Sequence, residues 1–260
     1  MEGIGDIGGY LDLPQVILYL FWGFFAGLIL YLLRENKREG YPLDSDRTDR
    51  SGGRVPVIGF PAPPPPKTYR TAHGHVITTP NARRDDRRPV AAEPVAGFPG
   101  APLEPTGSNP MLDCVGPGSY AQRADEVDLT YDNQVKILPL RLATEFYVCD
   151  GDDPRGKPVV GADGEEGGTV VDLWVDRSEA LLRYFEVETS GARRRVLLPV
   201  PFANVRRNQV EVKAILGGQF ALVPALRNPE QVTLLEEDKI AGYYGGGLLF
   251  ATPGRREPLI

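Results

Sequence analysis

Acidic side chains are the residues of this sequence with the widest scope for chemistry. They form two groups in the second half of the chain, in loops and near the ends of predicted strands. Carboxylates that lie close together raise one another's proton affinity, and burial raises it further. Most of them are expected on a solvated face, but some, buried against a partner in the membrane, could carry protons. The carboxylates are Asp125, Glu126, Asp128, Asp132, Asp172, Asp176, Glu179, Glu186 and Glu188.

Motifs of known catalytic or metal-binding chemistry are missing or weak. The sequence contains no Walker loop, no dinucleotide-binding fingerprint after a strand, no nucleophile elbow and no HExxH. His73 and His75 have no cysteine nearby, so we interpret them as surface residues and not as a metal pair. The acidic run 150–153 could begin a calcium loop, but the twelfth position is Gly161, where an EF-hand has Glu. We expect neither an active site nor a metal site.

Composition excludes other classes. The chain has 260 residues, a formal net charge of −6 and no long basic run, which argues against a nucleic-acid partner. The three arginines at 193–195 are interpreted as a solvated turn or a lipid-facing patch. Cys114 and Cys149 lack metal-ligand spacing and are not expected to form a disulfide.

An uncharged stretch near the N-terminus organises the rest of the chain. Residues 13–33 carry no formal charge and are bounded by Asp12 and Arg34. As a helix they would span roughly 31 Å, close to the ~30 Å hydrocarbon core of a bilayer. Backbone groups in that core need internal hydrogen bonds, so the stretch predicts one transmembrane helix.

The residues on either side of this helix predict that it is retained as an anchor, and they predict its orientation. A signal peptide would need a basic start, a shorter apolar run and a small-residue cleavage site, and none is present. Acidic residues precede the helix, whereas Arg34, Lys37 and Arg38 follow it. The positive-inside rule therefore places the N-terminus outside and the basic flank in the cytoplasm. A single helix cannot build a channel alone, so any function at membrane depth requires partners.

Proline dominates the segment that follows the predicted anchor. Gly40 can cap the end of the helix and Pro42 blocks its continuation. Prolines recur between about 43 and 120, including the polyproline-like run 61–66, so this segment cannot form a core of its own. It is either a disordered linker or an extended segment ordered on the surface of another protein, and its apolar interruptions favour the second interpretation.

Alternating hydrophobicity from about residue 130 onward predicts strands. In 169–176, Val171, Leu173 and Val175 share one face, and two aspartates and a tryptophan share the other. The run 181–188 follows after a short connection, so the two predict a hairpin. Further strands are predicted at 136–142, with Pro139 at an edge or a bulge, at 196–200 and at 209–215. Short strands at even spacing predict a small barrel or sandwich.

A helix is predicted near the C-terminus. Thr233 and Glu236 fit a capping box, and acidic residues follow in the first turn. The helix is expected to run toward Gly245, where three consecutive glycines weaken or end it.

Several short motifs occur in one order along essentially the whole chain. They are Arg38-Glu39-Gly40-Tyr41-Pro42-Leu43 after a single transmembrane helix, Pro105-Thr106-Gly107-x-x-Pro110-Met111, Val115-Gly116-Pro117, Asp153-Pro154-Arg155-Gly156, Val171-Asp172-Leu173-Trp174-Val175-Asp176 and Glu236-Glu237-Asp238-Lys239. In this order they resemble the H subunit of the purple-bacterial photosynthetic reaction centre. Each motif is weak alone, but the ordered combination is specific.

This resemblance implies a fold and a set of partners. The fold would be a single N-terminal transmembrane α-helix and a mainly-β cytoplasmic domain, a small PRC-type β-barrel, with a short C-terminal helix. The domain would cap the L and M subunits, which hold the bacteriochlorophylls, bacteriopheophytins, quinones and non-haem iron. This chain would bind no cofactor itself. Antenna polypeptides, a cytochrome-containing complex and membrane lipids are further expected partners, and nucleic acid is not.

The resemblance also implies a location and a role. The chain would cross the bacterial inner (intracytoplasmic) membrane once, with a periplasmic tail 1–12, the helix 13–33, a Pro-rich segment 34–120 lying on partner subunits and a barrel domain 121–260. It would stabilise the complex, shield the quinone sites and help to conduct protons to the secondary quinone, without being an enzyme. The alternative is a membrane-tethered barrel that serves as an interaction module with no photochemical role.

Specific residues would carry the protons. The family's internal proton-path glutamate matches Glu179, its nearby acid matches Asp176, and the arginine four residues after the glutamate matches Arg183. The family's surface entry acid matches Asp128.

The surroundings of the entry acid depart from the family pattern. Some members place two histidines just beyond it, whereas this sequence has Thr130 and Asp132 at the matching positions. We therefore predict that Asp128 and Asp132 collect protons in place of histidines.

Overall fold

The computed structural model of the chain describes residues 6–7, 11–41, 59–81, 88–98, 100–149 and 151–256. These residues belong to two compact units, Met1–Asp86 and Arg87–Ile260. Most of the predicted tail 1–12, and several positions that carry sequence predictions, lie outside the described residues. The latter are Pro42, Leu43, Asp150 and parts of the Pro-rich segment.

The long helix of the first unit agrees with the predicted anchor. A two-residue ladder of β1 (Asp6–Ile7) and β2 (Leu11–Asp12) precedes α1, which spans Leu13–Glu35. The Asp12 carboxylate accepts a 2.9 Å hydrogen bond from the Gln15 amide and caps the helix. None of the residues of α1 is buried, and the segment Leu13–Arg38 is long and apolar enough to cross a membrane. The predicted helix is confirmed and extends two residues further.

Part of the Pro-rich segment forms a hairpin held by the basic flank of α1. Strands β3 (Lys67–Arg70) and β4 (Val76–Thr79) pair antiparallel. Lys37 donates to the Pro61 carbonyl at 2.6 Å, and Arg38 donates to the Thr79 carbonyl at 3.2 Å. Backbone carbonyls of extended chain are thus satisfied by side chains from the helix end.

The second unit contains a small ladder and a seven-stranded sheet. The ladder joins β5 (Ala92–Pro94) and β6 (Leu103–Pro105). The order along the sheet is β11-β10-β9-β8-β13-β12, with β7 also paired to β9, and only β8 and β13 run parallel. This open half-barrel agrees with the predicted mainly-β domain. Its strands are β7 (Ile137–Pro139), β8 (Pro158–Val160), β9 (Glu166–Asp176), β10 (Leu181–Thr189), β11 (Arg195–Pro199), β12 (Ala203–Val205) and β13 (Val210–Val212).

The hairpin of β9 and β10 lies at the centre of the sheet and is buried on both faces. Leu173 and Trp174, neighbours that point to opposite faces, are both fully buried. The face of β9 that carries Asp172, Trp174 and Asp176 is therefore interior. On the opposite, apolar face Val171 is exposed, because it lies at a register shift. A second register shift lies beside Arg183 on β10. Such bulges re-aim side chains and explain why alternation alone did not reveal which positions are exposed.

The C-terminal helix α2 runs over Leu234–Phe250 and begins with the predicted capping box. Its predicted end at Gly245 is wrong, because the helix continues through all three glycines. A Cβ at Gly245 would lie 2.5 Å from the Pro117 carbonyl oxygen, and one at Gly247 would lie 2.5 Å from the Ala214 carbonyl oxygen. Close contact with neighbouring backbone outweighs the low helix propensity of glycine.

Candidate functional site

Most of the predicted proton-transfer residues lie at one end of the β9–β10 hairpin. Asp176 ends β9, Glu179 lies in the connecting turn, and Arg183 occupies the bulge of β10. Asp128 and Lys136 come from the segment that leads into β7, which pairs with the same end of β9. The fold thus brings together acids that are about fifty positions apart in sequence.

Asp176 is 1% exposed, and its carboxylate accepts hydrogen bonds from the turn that follows it. Its Oδ1 accepts hydrogen bonds from the backbone amides of Ser178 at 2.9 Å and Glu179 at 3.2 Å. These bonds hold the turn closed, and Ala180 takes a left-handed φ of 53° within it. The second oxygen, Oδ2, lies 3.5 Å from Nζ of Lys136.

Lys136 joins the buried acid to a half-exposed one. Its Nζ lies 3.3 Å from Oδ2 of Asp128, in addition to its contact with Asp176. The side chain of Asp128 is 39% exposed, whereas that of Asp176 is 1% exposed. One ammonium therefore contacts a carboxylate that water reaches and a carboxylate that water does not.

A buried glutamate completes this end of the domain. Glu237, in the first turn of α2, accepts a 2.7 Å hydrogen bond from the Tyr184 hydroxyl. Its Oε2 lies 3.8 Å from Nη2 of Arg183. Burial raises the pKa of Glu237, against the opposing effects of Tyr184 and of Arg183, and the charge of Asp128 adds to the increase. Burial and the adjacent carboxylate also raise the pKa of Tyr184.

The sequence predicts no site role for Glu237, because its position in the first turn of a helix explains it as a helix-dipole partner. Its one indication in the sequence is that it follows the capping glutamate Glu236 directly. Lys136 was likewise recognised only as the start of a strand. Neither sequence pattern shows that these side chains reach acids on other elements.

The remaining predicted residues are more exposed. The side chains of Glu179 and Arg183 lie at the surface of the described structure. Asp132 is also exposed and lines a cavity of about 410 Å³ with Glu145 and Arg177. In the described part of the chain Asp132 makes no ion pair with Lys136, so it lies apart from the contacts that join Asp128 to Asp176.

A second charged cluster lies further along the same hairpin. Asp172 and Glu186 face each other on β9 and β10 and are 7% and 2% exposed. Nη1 of Arg141 lies 2.9 Å from Asp172 and 2.6 Å from Glu186. Trp174 donates its indole N–H to Glu186 at 3.0 Å, and Arg195 pairs with the other oxygen of Glu186. All these charges are paired, which is typical of a structural network.

The arginines at 193–195 are not simply a solvated patch. Arg194 donates to the carbonyls of Ala221 and Val223, and Arg195 pairs with Glu186. Two of the three thus hold the β10–β11 connection to neighbouring structure.

Histidine and metal chemistry receive no support from the described residues. His73 and His75 lie in the turn of the β3–β4 hairpin. Among the residues that the structure describes, no three or more His, Cys, Asp or Glu side chains are grouped as metal ligands would be.

Two family models match the chain. The model of the photosynthetic reaction centre H-chain N-terminal region matches residues 5–142, which is more than half of the chain. The model of the PRC-barrel domain matches residues 149–219. Asp128 and Lys136 fall within the first match, Asp176 and Glu179 within the second, and Glu237 lies beyond both.

Proposed function

This chain belongs to the family of photosynthetic reaction centre H chains, and we propose that it caps the cytoplasmic face of its complex, shields the quinone sites from water and helps to conduct protons to the secondary quinone. As an H chain it is a reaction-centre subunit that associates with the L and M subunits. The pigments belong to the complex and not to this chain. Its apolar helix α1 fits a membrane-anchored protein.

The proposal includes a topology and a set of partners. The N-terminus lies in the periplasm and the second unit in the cytoplasm, because Arg34, Lys37 and Arg38 follow the apolar helix. The Pro-rich segment 34–120 lies on partner subunits, and 121–260 acts as the barrel domain of an intracytoplasmic-membrane protein. Antenna polypeptides, a cytochrome-containing complex and lipids are its further neighbours. The chain has no catalytic activity of its own and acts on chemistry carried out by L and M.

One observation carries the proposed role in proton transfer. Asp128 is reached by water, Asp176 is buried, and both contact the same ammonium group. The backbone amide of Glu179, three residues after Asp176 in the chain, donates a hydrogen bond to that buried acid. Water can therefore deliver a proton to an acid that a single ammonium holds beside a buried carboxylate, which supports a route that begins at the surface near Asp128.

The test compares the native complex with one that contains Glu179→Gln. This change removes an ionisable carboxyl group with little change of size. Flash-induced proton uptake and the second electron transfer to the quinone would be measured in the purified complex. A marked slowing of the second transfer, with charge separation on the first flash intact, would support the route. Glu166→Gln, at the opposite end of β9 and exposed, is the matched control.

An unchanged second electron transfer in Glu179→Gln would contradict the proposed route. Protons would then enter elsewhere, and the contribution of this subunit would be mainly structural. Loss of the first-flash charge separation in Glu179→Gln would instead report a disrupted complex.

A further inference from the structure

Lys136 is fixed by backbone as well as by side-chain contacts. Its amide donates to the Asp128 carbonyl at 2.9 Å, and its own carbonyl accepts from the Arg177 amide at 2.9 Å. Asp128 and Arg177 lie on opposite sides of it in the ladder, and its Nζ reaches back to Asp128 and forward to Asp176. Backbone and side-chain contacts therefore fix Lys136 between the surface acid Asp128 and the buried acid Asp176.

The charge of Lys136 is secure in this position. Burial lowers the pKa of the Lys136 amine. The hydrogen bonds and negative charges of Asp128 and Asp176 outweigh this effect, so the pKa is raised. The side chain is 23% exposed, so water screens it only partly. Because the amine stays protonated, Lys136 does not release a proton in each cycle.

Other charged groups near this pair are already engaged. The Arg177 guanidinium donates to Glu145, to Gln134 and to the Val135 carbonyl. The charge of Asp128 raises the pKa of Glu237, whereas the charges of Arg183 and Arg123 lower it. Glu179 contributes its backbone amide to Asp176. Among the described residues, Lys136 is thus the cation that both aspartates contact.

We infer that Lys136 is a positioning residue of the proton route: its ammonium holds the water-exposed carboxylate of Asp128 and the buried carboxylate of Asp176 against one fixed charge, and the pH profile of proton delivery depends on that charge. This inference rests on the proposed function. A cation beside a carboxylate favours the ionised form, and two neighbouring carboxylates without one retain a shared proton to higher pH.

The experiment uses the assembled complex with Lys136→Met, which removes the charge and keeps the length of the side chain, and with Lys136→Arg, which keeps the charge. Flash-induced proton uptake and the second electron transfer are recorded from pH 5 to 10. In Lys136→Met the pH at which the rate falls to half should rise by about one to two units, the usual effect of one close ion pair on a carboxyl group. Lys136→Arg should restore the native profile.

A second variant protects the test against poor folding of Lys136→Met. Asp128→Asn, at a partly exposed site, leaves Asp176 as the only carboxylate partner of the ammonium. The half-rate pH should then move downward, opposite to its movement in Lys136→Met. A lysine with a merely structural role would not produce shifts of opposite sign.

The outcomes separate this inference from the proposed function. If Glu179→Gln slows the second electron transfer while neither Lys136→Met nor Asp128→Asn moves the half-rate pH, the inference on Lys136 is overturned and the route stands. If Glu179→Gln has no effect either, the route itself is overturned. Shifts of opposite sign with rescue by arginine support the inference.

Discussion

Asp172 and Glu186 lie directly opposite each other on β9 and β10, both buried, and a single guanidinium nitrogen of Arg141 contacts both carboxylates. Like charges in opposite cross-strand positions destabilise a sheet. Here the arginine and the indole N–H of Trp174 compensate them. The centre of the half-barrel therefore depends on a charge supplied by the loop after β7.

Replacing Arg141 with Met should destabilise the domain by about 2 to 4 kcal/mol, because it leaves two buried carboxylates facing each other. Arg195 still pairs with Glu186, so the loss is partial. Urea unfolding of the full chain in detergent, followed by tryptophan fluorescence, measures it. Arg155→Met, which removes an arginine paired with the half-exposed Asp153, should cost at most about 1 kcal/mol. Equal effects of the two changes would contradict the explanation.

Glu237→Gln should change the pH dependence of stability. Burial raises the pKa of this carboxyl in the folded protein above its unfolded value. A carboxyl with a raised folded pKa contributes stability that is present below the unfolded pKa and lost as pH rises through the folded pKa. The variant keeps an acceptor for Tyr184 but does not titrate, so it should gain stability relative to the native chain between pH 5 and 8.

Urea midpoints of both chains at pH 5 and pH 8 check this prediction. Glu230→Gln, at an exposed position, serves as the control. The prediction would be contradicted if the stability gained by Glu237→Gln over the native chain fell with rising pH. The folded protein would then stabilise the buried carboxylate better than its surroundings indicate.

Gly247→Ala should destabilise the second unit although alanine favours helix. A Cβ at this position would lie 2.5 Å from the Ala214 oxygen and 2.5 Å from the Ile215 side chain. Overpacking of this kind typically costs about 1 to 3 kcal/mol, more than the ~1 kcal/mol gained in helix propensity. Thermal unfolding followed by circular dichroism provides the measurement. Gly218→Ala, with open space around its Cβ, should have little effect, and a more stable Gly247→Ala would refute the close contact.

Removing the two proposed entry carboxylates together, Asp128→Asn with Asp132→Asn, should slow the second electron transfer roughly tenfold at pH 8, which corresponds to about 1.4 kcal/mol in the barrier. Asp128→Asn alone should account for most of the effect, because Asp132 does not contact Lys136 among the described residues. Asp152→Asn, an exposed acid elsewhere, is the control. A rate that stays unchanged across pH in the double variant would rule out both carboxylates as the entry.

The elements that local sequence determines were predictable. An uncharged run long enough to cross a bilayer predicted α1, and the alternation on either side of a short turn predicted the β9–β10 hairpin. The capping box correctly located the start of α2. In each case the residues that decide the structure lie within a few positions of one another.

Features that depend on distant neighbours were not predictable in the same way. The bulges at Val171 and Arg183 change which side chains are buried, and they lie in a pair of strands that also pairs with β7, β8 and β11. The glycines near Gly245 continue a helix because of backbone about 130 positions earlier. Lys136 and Glu237 enter the site through contacts with acids and arginines on other elements, which no local pattern contains.

The exposed helix α1 also bears on how the chain is made. None of its residues is buried, and it precedes the second unit, which has a core of its own. With α1 ending at Glu35 in a chain of 260 residues, synthesis of the remainder takes roughly 10 to 45 s at ribosomal rates of about 5 to 20 residues per second. The apolar helix is therefore complete while most of the half-barrel is still untranslated.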